Sequence, residues 1–191
     1  MCLKLISISV LIYVGHAFPE PCETLNAIDN WKRSAANNLT DNTFLCDSRL
    51  KEGWYRITST AGERMPTECL IGGYRCGTKY PIYLSRKGVT TGEDIFPETG
   101  KIVNRTAYEV LDDRCVNEEY PIRIKNCTLY LVYYLRPTRG CPTTYCFGTE
   151  MPCPDGQLSQ TGFSPGCSNV KAPPKCQLCI DKTCFVKTYG A

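Results

Sequence analysis

Cysteine is the residue of this chain most able to do chemistry, with 14 Cys against a single His in 191 residues. Thiols can close disulfides, hold zinc or exchange electrons, and spacing separates these uses. Cys176-Gln177-Leu178-Cys179 is the one C-x-x-C, a spacing shared by zinc sites and redox centres. A zinc site there would have to recruit Cys153, Cys167 or Cys184, because no histidine accompanies it. A redox centre would have to open a helix in a βαβ unit, and no such pattern surrounds it, so the pair reads as part of a disulfide set. Acidic pairs at Asp112-Asp113, Glu118-Glu119 and Glu93-Asp94 lack the spacing of a calcium loop and read as solvated surface. No metal and no cofactor is expected.

The start of the chain explains why the cysteines should be oxidised. Lys4 precedes an apolar run from Leu5 to Val14, and Gly15-His16-Ala17 is a small-x-small cleavage site, so residues 1–17 read as a secretory signal peptide. The run is too short to span a bilayer. Its removal takes away Cys2, Lys4 and His16, the only histidine, and leaves 13 cysteines. Nucleophilic catalysis needs a base beside Ser, Cys or Thr, most often histidine, and none remains. No catalytic residue can be named and no enzyme is expected.

Basic residues fall from 22 to 21 against 19 acidic ones once the leader is gone. A balance so close to neutral, without clustered Lys or Arg, excludes nucleic acid and anionic membrane as the expected partners. No second long apolar stretch and no GPI-type signal follows. A secreted, extracellular, soluble chain is expected. Its N-glycosylation acceptors are Asn38-Leu39-Thr40, Asn104-Arg105-Thr106 and Asn126-Cys127-Thr128, the last with a neighbour able to bridge before a glycan is added.

These residues need elements to hold them. Ile122-Arg123-Ile124-Lys125 alternates, and Thr128 to Leu135 follows as a β-branched and aromatic run, so Tyr120 to Leu135 predicts a hairpin closed around Asn126-Cys127. Trp54 to Thr58 predicts a strand with Tyr55 and Ile57 on one face, and Ile82 to Leu84 predicts another. Gly88 to Gly100 reads as an exposed loop. Leu25, Ile28 and Trp31 at three-residue spacing predict a short helix after Thr24. Trp54, Tyr74, Tyr80 and Tyr83 are candidate contact aromatics, set against the alternative that they are core. The expected fold is small, disulfide-rich and mainly β: antiparallel hairpins stapled by about four disulfides, then a short cysteine-rich appendage.

A family resemblance rests on blocks in a fixed order. Gly53-Trp54-Tyr55-Arg56, Arg64-Met65-Pro66 before Cys69, and Arg75-Cys76-Gly77-Thr78 before Pro81-Ile82-Tyr83-Leu84 come first. Gly100-Lys101-Ile102-Val103-Asn104-Arg105, Tyr130-Leu131-Val132-Tyr133-Tyr134-Leu135, Cys141-Pro142 and Tyr145-Cys146 follow. The stretch resembles the eight-cysteine domain of uromodulin-like secreted glycoproteins, here residues 18–147. Its cysteines are Cys22, Cys46, Cys69, Cys76, Cys115, Cys127, Cys141 and Cys146, and their connectivity is not legible in sequence. Members with ten cysteines carry two more; here Tyr108 stands at one such place and Arg114 precedes a lone Cys115. The resemblance implies an extracellular interaction module that displays N-glycans, without catalysis. Tyr134 occupies the place where some members carry a glycan.

Residues 148–191 form the cysteine-rich tail, in which Cys153 to Cys167 is similar to repeats of ephrin-receptor-like or EGF-like ectodomains. Lys171-Ala172-Pro173-Pro174-Lys175 interrupts that pattern before Cys176. Few apolar residues stand here, so the tail must rely on bridges among Cys153, Cys167, Cys176, Cys179 and Cys184. Five is odd, which leaves one cysteine for a disulfide-linked homodimer or a buried thiol. The leading reading is a secreted, non-enzymatic glycoprotein of matrix, mucus or mineralised tissue that binds extracellular proteins or glycans. A defence or toxin-like disulfide scaffold and a thiol-disulfide exchanger using a tail cysteine are the alternatives.

Overall fold

The computed structural model describes residues 20–169 and, beyond them, the strands Gln177–Ile180 and Thr183–Val186. The leader therefore lies outside the described residues, as does Cys176.

Seven strands make one sheet: β1 (Ala27–Ile28), β2 (Gly53–Ile57), β3 (Tyr80–Leu84), β4 (Ile102–Glu109), β5 (Glu119–Asn126), β6 (Leu131–Leu135) and β7 (Thr143–Tyr145), in the order β1-β2-β6-β5-β4-β3-β7. The five central strands are antiparallel to one another, while β1 joins β2 and β7 joins β3 in parallel. The fold is a small, disulfide-rich, mainly β one, with two single-turn 3-10 segments at Pro21–Glu23 and Trp31–Arg33.

Alternation in the strands sets the core. On β5, Tyr120, Ile122 and Ile124 are buried while Glu119, Pro121 and Arg123 are exposed, the two-residue period of a half-buried strand. Tyr55 and Ile57 of β2, Leu131, Tyr133 and Leu135 of β6, and Tyr145 and Phe147 at the far edge join the same core. Met65, Ile95 and Phe96 close it from loops. A separate, smaller cluster holds Tyr83, Tyr108 and Val110, packed against Cys69, Leu70 and Cys115.

Two sequence expectations are corrected. The helix expected from Leu25, Ile28 and Trp31 does not form. Ile28 is buried in β1, Trp31 opens a 3-10 turn, and Leu25 is 98% exposed. Pairing of Ala27 and Ile28 with Arg56 and Ile57 extends the backbone there, and tertiary pairing overrides a three-residue spacing. The segment Gly88 to Gly100 is a loop, but Ile95, Phe96 and Pro97 within it are buried, so it is half lid rather than wholly exposed.

Five disulfides lie among the described residues: Cys22–Cys127, Cys46–Cys141, Cys69–Cys115, Cys76–Cys146 and Cys153–Cys167. The first four each tie segments 46 to 105 residues apart, so they restrict the unfolded chain over long loops. In the tail, β8 (Gln177–Ile180) and β9 (Thr183–Val186) pair as a hairpin with Cys179 opposite Cys184 in the backbone register.

One buried ion pair joins the edge strand to the loops. Asp47 is 3% exposed and accepts from both terminal nitrogens of Arg33 at 2.7 and 2.8 Å, from Thr144 Oγ1 at 2.6 Å and from the Tyr145 amide at 2.9 Å. Arg33 also donates to the Tyr145 carbonyl at 3.1 Å. This network holds β7 against the segments that precede β2. Neither residue stood out in the sequence, because a buried Arg or Asp looks like a surface one until its partner is known.

Candidate interaction face

The inner face of the sheet is filled by core, and one end of the outer face lies under the Cys69–Cys115 segment. The middle of the outer face stays open, and the strand register decides what it presents. Asn104 on β4 stands opposite Arg123 on β5, Arg123 opposite Tyr134 on β6, and Tyr134 opposite Trp54 on β2. Four residues distant in sequence thus form one row across four strands. Directly opposed residues lie close enough for their side chains to interact.

The row is packed. The Trp54 and Tyr134 rings meet edge to face at 5.5 Å, and the Arg123 guanidinium lies 4.3 Å from the Tyr134 centroid and 5.2 Å from that of Trp54. Such stacking favours Arg over Lys because the guanidinium is planar. Glu52 accepts from the Tyr134 hydroxyl and from Arg136, each at 3.0 Å. Beside the row a groove of about 440 Å³ opens, with Lys87, Asn104, Pro121, Arg123 and Tyr134 in its walls. Arg105, also in its wall, is paired with Glu93 at 2.6 Å. Among the described residues Arg123 and Lys87 have no carboxylate partner. The groove therefore carries uncompensated positive charge next to aromatic surface.

The three sequon asparagines sit in different settings. Asn38 is exposed in a loop whose backbone bridges to Arg75. Asn104 is exposed on β4, and Thr106, two residues on, shares its outward face. Asn126 is half-buried, and its side chain is occupied: Nδ2 donates to the Pro97 carbonyl at 3.0 Å and Oδ1 accepts from the Thr128 amide at 2.9 Å. Its neighbour Cys127 is bridged to Cys22.

Of the candidate contact aromatics, Tyr83 is core at 5% exposure, Trp54 and Tyr80 are half-buried, and Tyr74 is 46% exposed. Lys79 lies 5.1 Å from the Tyr80 ring and 5.8 Å from that of Tyr74, so these two belong to a separate patch from the Trp54 row. Sequence reading missed Tyr134 and Arg123 as site residues, since only strand register joins them to Asn104 and Trp54. Among the acidic pairs, Glu118 meets Arg139 and Glu93 meets Arg105, while Asp112 and Asp113 are exposed. No group of three or more His, Cys, Asp or Glu poised for a metal occurs among the described residues.

Glu109 is the other deeply buried carboxylate, 7% exposed. It accepts from Asn117 at 2.8 Å and Thr143 at 3.0 Å and contacts the Tyr120 hydroxyl at 3.4 Å. Burial, reinforced by the charge of Glu109, pushes the Tyr120 phenol up to about 12. These bonds satisfy buried polar groups at the junction of β4, β5 and β7.

Comparison with known proteins places this architecture. Residues 55–147 match the family model for the uromodulin-like cysteine domain. The pancreatic secretory granule membrane major glycoprotein GP2 of Rattus norvegicus is 32% identical over 131 residues, and that of Canis lupus familiaris is 34% identical over 128 residues. Each match takes in 66% of this chain and 23% of the relative, so the chain spans about a quarter of the length of these curated relatives. Among the described residues no helix is long and apolar enough to cross a membrane. From Tyr55 to Phe147 the chain is a member of the uromodulin-like domain family.

Proposed function

We propose that this protein is a secreted, non-enzymatic glycoprotein whose disulfide-rigid uromodulin-like domain presents N-glycans and binds extracellular proteins or glycans in matrix, mucus or mineralised tissue. The observation that carries the reading is the contrast among the sequons. The side-chain amides of Asn38 and Asn104 are exposed and make no hydrogen bond among the described residues, whereas the amide of Asn126 is engaged on both sides. Asn38 and Asn104 are the glycan carriers in this reading, and Asn126 is the site that folding withdraws. Five disulfides fit an oxidising compartment.

The domain limits go with it: a leader over residues 1–17, the uromodulin-like domain over 18–147 and an EGF-like or receptor-like tail over 148–191. With ten cysteines bridged, the odd cysteine of the secreted chain is one of Cys176, Cys179 and Cys184, and it links two copies as a homodimer. The experiment is the intact mass of the secreted protein after deglycosylation, with and without reductant, in the presence of a thiol-alkylating probe. A mass of twice the chain that halves on reduction supports the dimer. A monomer that takes up one probe without reduction sinks the dimer and favours a thiol exchanger. Glycopeptide mapping that finds Asn38 and Asn104 bare in secreted protein refutes the glycan reading, and lysis of target cells by the protein would favour the toxin-like alternative.

A further inference from the structure

We propose that the outer-face groove is a cradle for the chain's own N-glycan on Asn104, an inference that rests on the reading that Asn104 is glycosylated. Attachment joins the anomeric carbon of a lipid-linked N-acetylglucosamine to Asn104 Nδ2. The amide gives up a proton and the lipid pyrophosphate leaves. The first sugars must then lie beside Asn104, and Asn104 is itself part of the groove wall.

Three features make that groove fit a sugar core. Its volume of about 440 Å³ falls in the range of about 300–1,000 Å³ that small-ligand clefts span. Its donors match the acetamido carbonyls and hydroxyls of N-acetylglucosamine: Arg123, stacked over Tyr134 at 4.3 Å, keeps its N–H edges free, and Lys87 adds a second unpaired cation. Its apolar parts, the Tyr134 ring and the exposed Pro121 opposite Thr106, suit the C–H face of a pyranose. The donors are already stacked before any sugar arrives, so little ordering entropy is lost when it docks. Asn38 has no such surroundings: it stands in an exposed loop. A filled cradle closes this face of the sheet to protein partners and leaves the Asn38 side and the Tyr74-Tyr80 patch open to them.

The test uses the whole secreted chain from glycosylating cells. Glycopeptide mapping first reports whether Asn104 is occupied. The rate at which an endoglycosidase trims Asn104 is then compared between the native protein and a native Arg123→Ala/Tyr134→Ala variant, with both also trimmed after denaturation. The native wild type should be trimmed at least about tenfold more slowly than the variant, the factor that about 1.4 kcal/mol of contact gives. The denatured proteins should not differ. In the wild type, an acetyl methyl proton of the Asn104 glycan should shift upfield from ring current of Tyr134, a readout that needs no variant. A bare Asn104 overturns the glycan reading and the cradle with it. An occupied Asn104 with equal native trimming rates and no upfield methyl overturns the cradle alone.

Discussion

Replacing Asp47 by Asn removes the charge of the buried pair while keeping its size. Asp47 is 3% exposed and collects four hydrogen bonds, from Arg33, Thr144 and the Tyr145 amide. An amide has one acceptor oxygen and two donors, so at least one Arg33 nitrogen or the Tyr145 N–H loses its partner. The Arg33 guanidinium stays charged in a site that water barely reaches. Removing one member of such a pair costs about 3–5 kcal/mol, a large share of the roughly 5–15 kcal/mol that holds a domain folded. For a chain of this length that is a fall of roughly 6–20 °C in melting temperature. The comparison is Glu52→Gln, which breaks the half-exposed pair with Arg136 and should cost no more than about 1 kcal/mol. The double replacement Arg33→Met/Asp47→Leu should recover most of the loss, because an apolar pair needs no partner. The assay is urea unfolding with all disulfides intact, followed by near-ultraviolet circular dichroism. If Asp47→Asn costs no more than Glu52→Gln, the pair does not hold β7 in the way argued.

Four further outcomes follow from the packing. Tyr120 keeps its proton to about pH 12 when folded but ionises near 10 when unfolded, so its contribution is complete below pH 10 and is lost as pH rises from 10 to 12. Alkaline unfolding curves should therefore fall by about 1.4 kcal/mol per pH unit for this group over that window, and Tyr120→Phe should flatten them. Gly148→Ala should prevent secretion of folded protein, because a Cβ there would sit 2.0 Å from the Ala61 carbonyl oxygen at a φ of +80°; intact mass and circular dichroism check it. Removing Cys22–Cys127 as Cys22→Ala/Cys127→Ala opens a separation of 105 residues and should cost about 2–5 kcal/mol, while raising glycan occupancy at Asn126 in peptide maps. Tyr133→Phe should be within about 0.5 kcal/mol of the parent in urea unfolding, since its buried hydroxyl has no hydrogen-bond partner among the described residues.

The sequence by itself determined the parts of this protein whose cause is local. The alternation in Ile122 to Lys125 and the aromatic run up to Leu135 specified the β5-β6 hairpin, because a two-residue period leaves each strand one way to bury its apolar side. The order of the glycine, aromatic and cysteine blocks pointed to the domain family that the comparison with known proteins then identified. Other features had no local cause. β1 and β7 are two and three residues long, too short to carry a period, and exist because β2 and β3 offer them a parallel edge. The spacing of Leu25, Ile28 and Trp31 predicts a helix, yet pairing with β2 makes the segment extended. Which cysteine meets which depended on where the sheet placed them, and the Arg33–Asp47 pair joins residues that look like ordinary surface in the sequence. The row Asn104-Arg123-Tyr134-Trp54 is the clearest case. Its members come from four strands and are brought side by side only by register, and register is set by the whole sheet closing over one core.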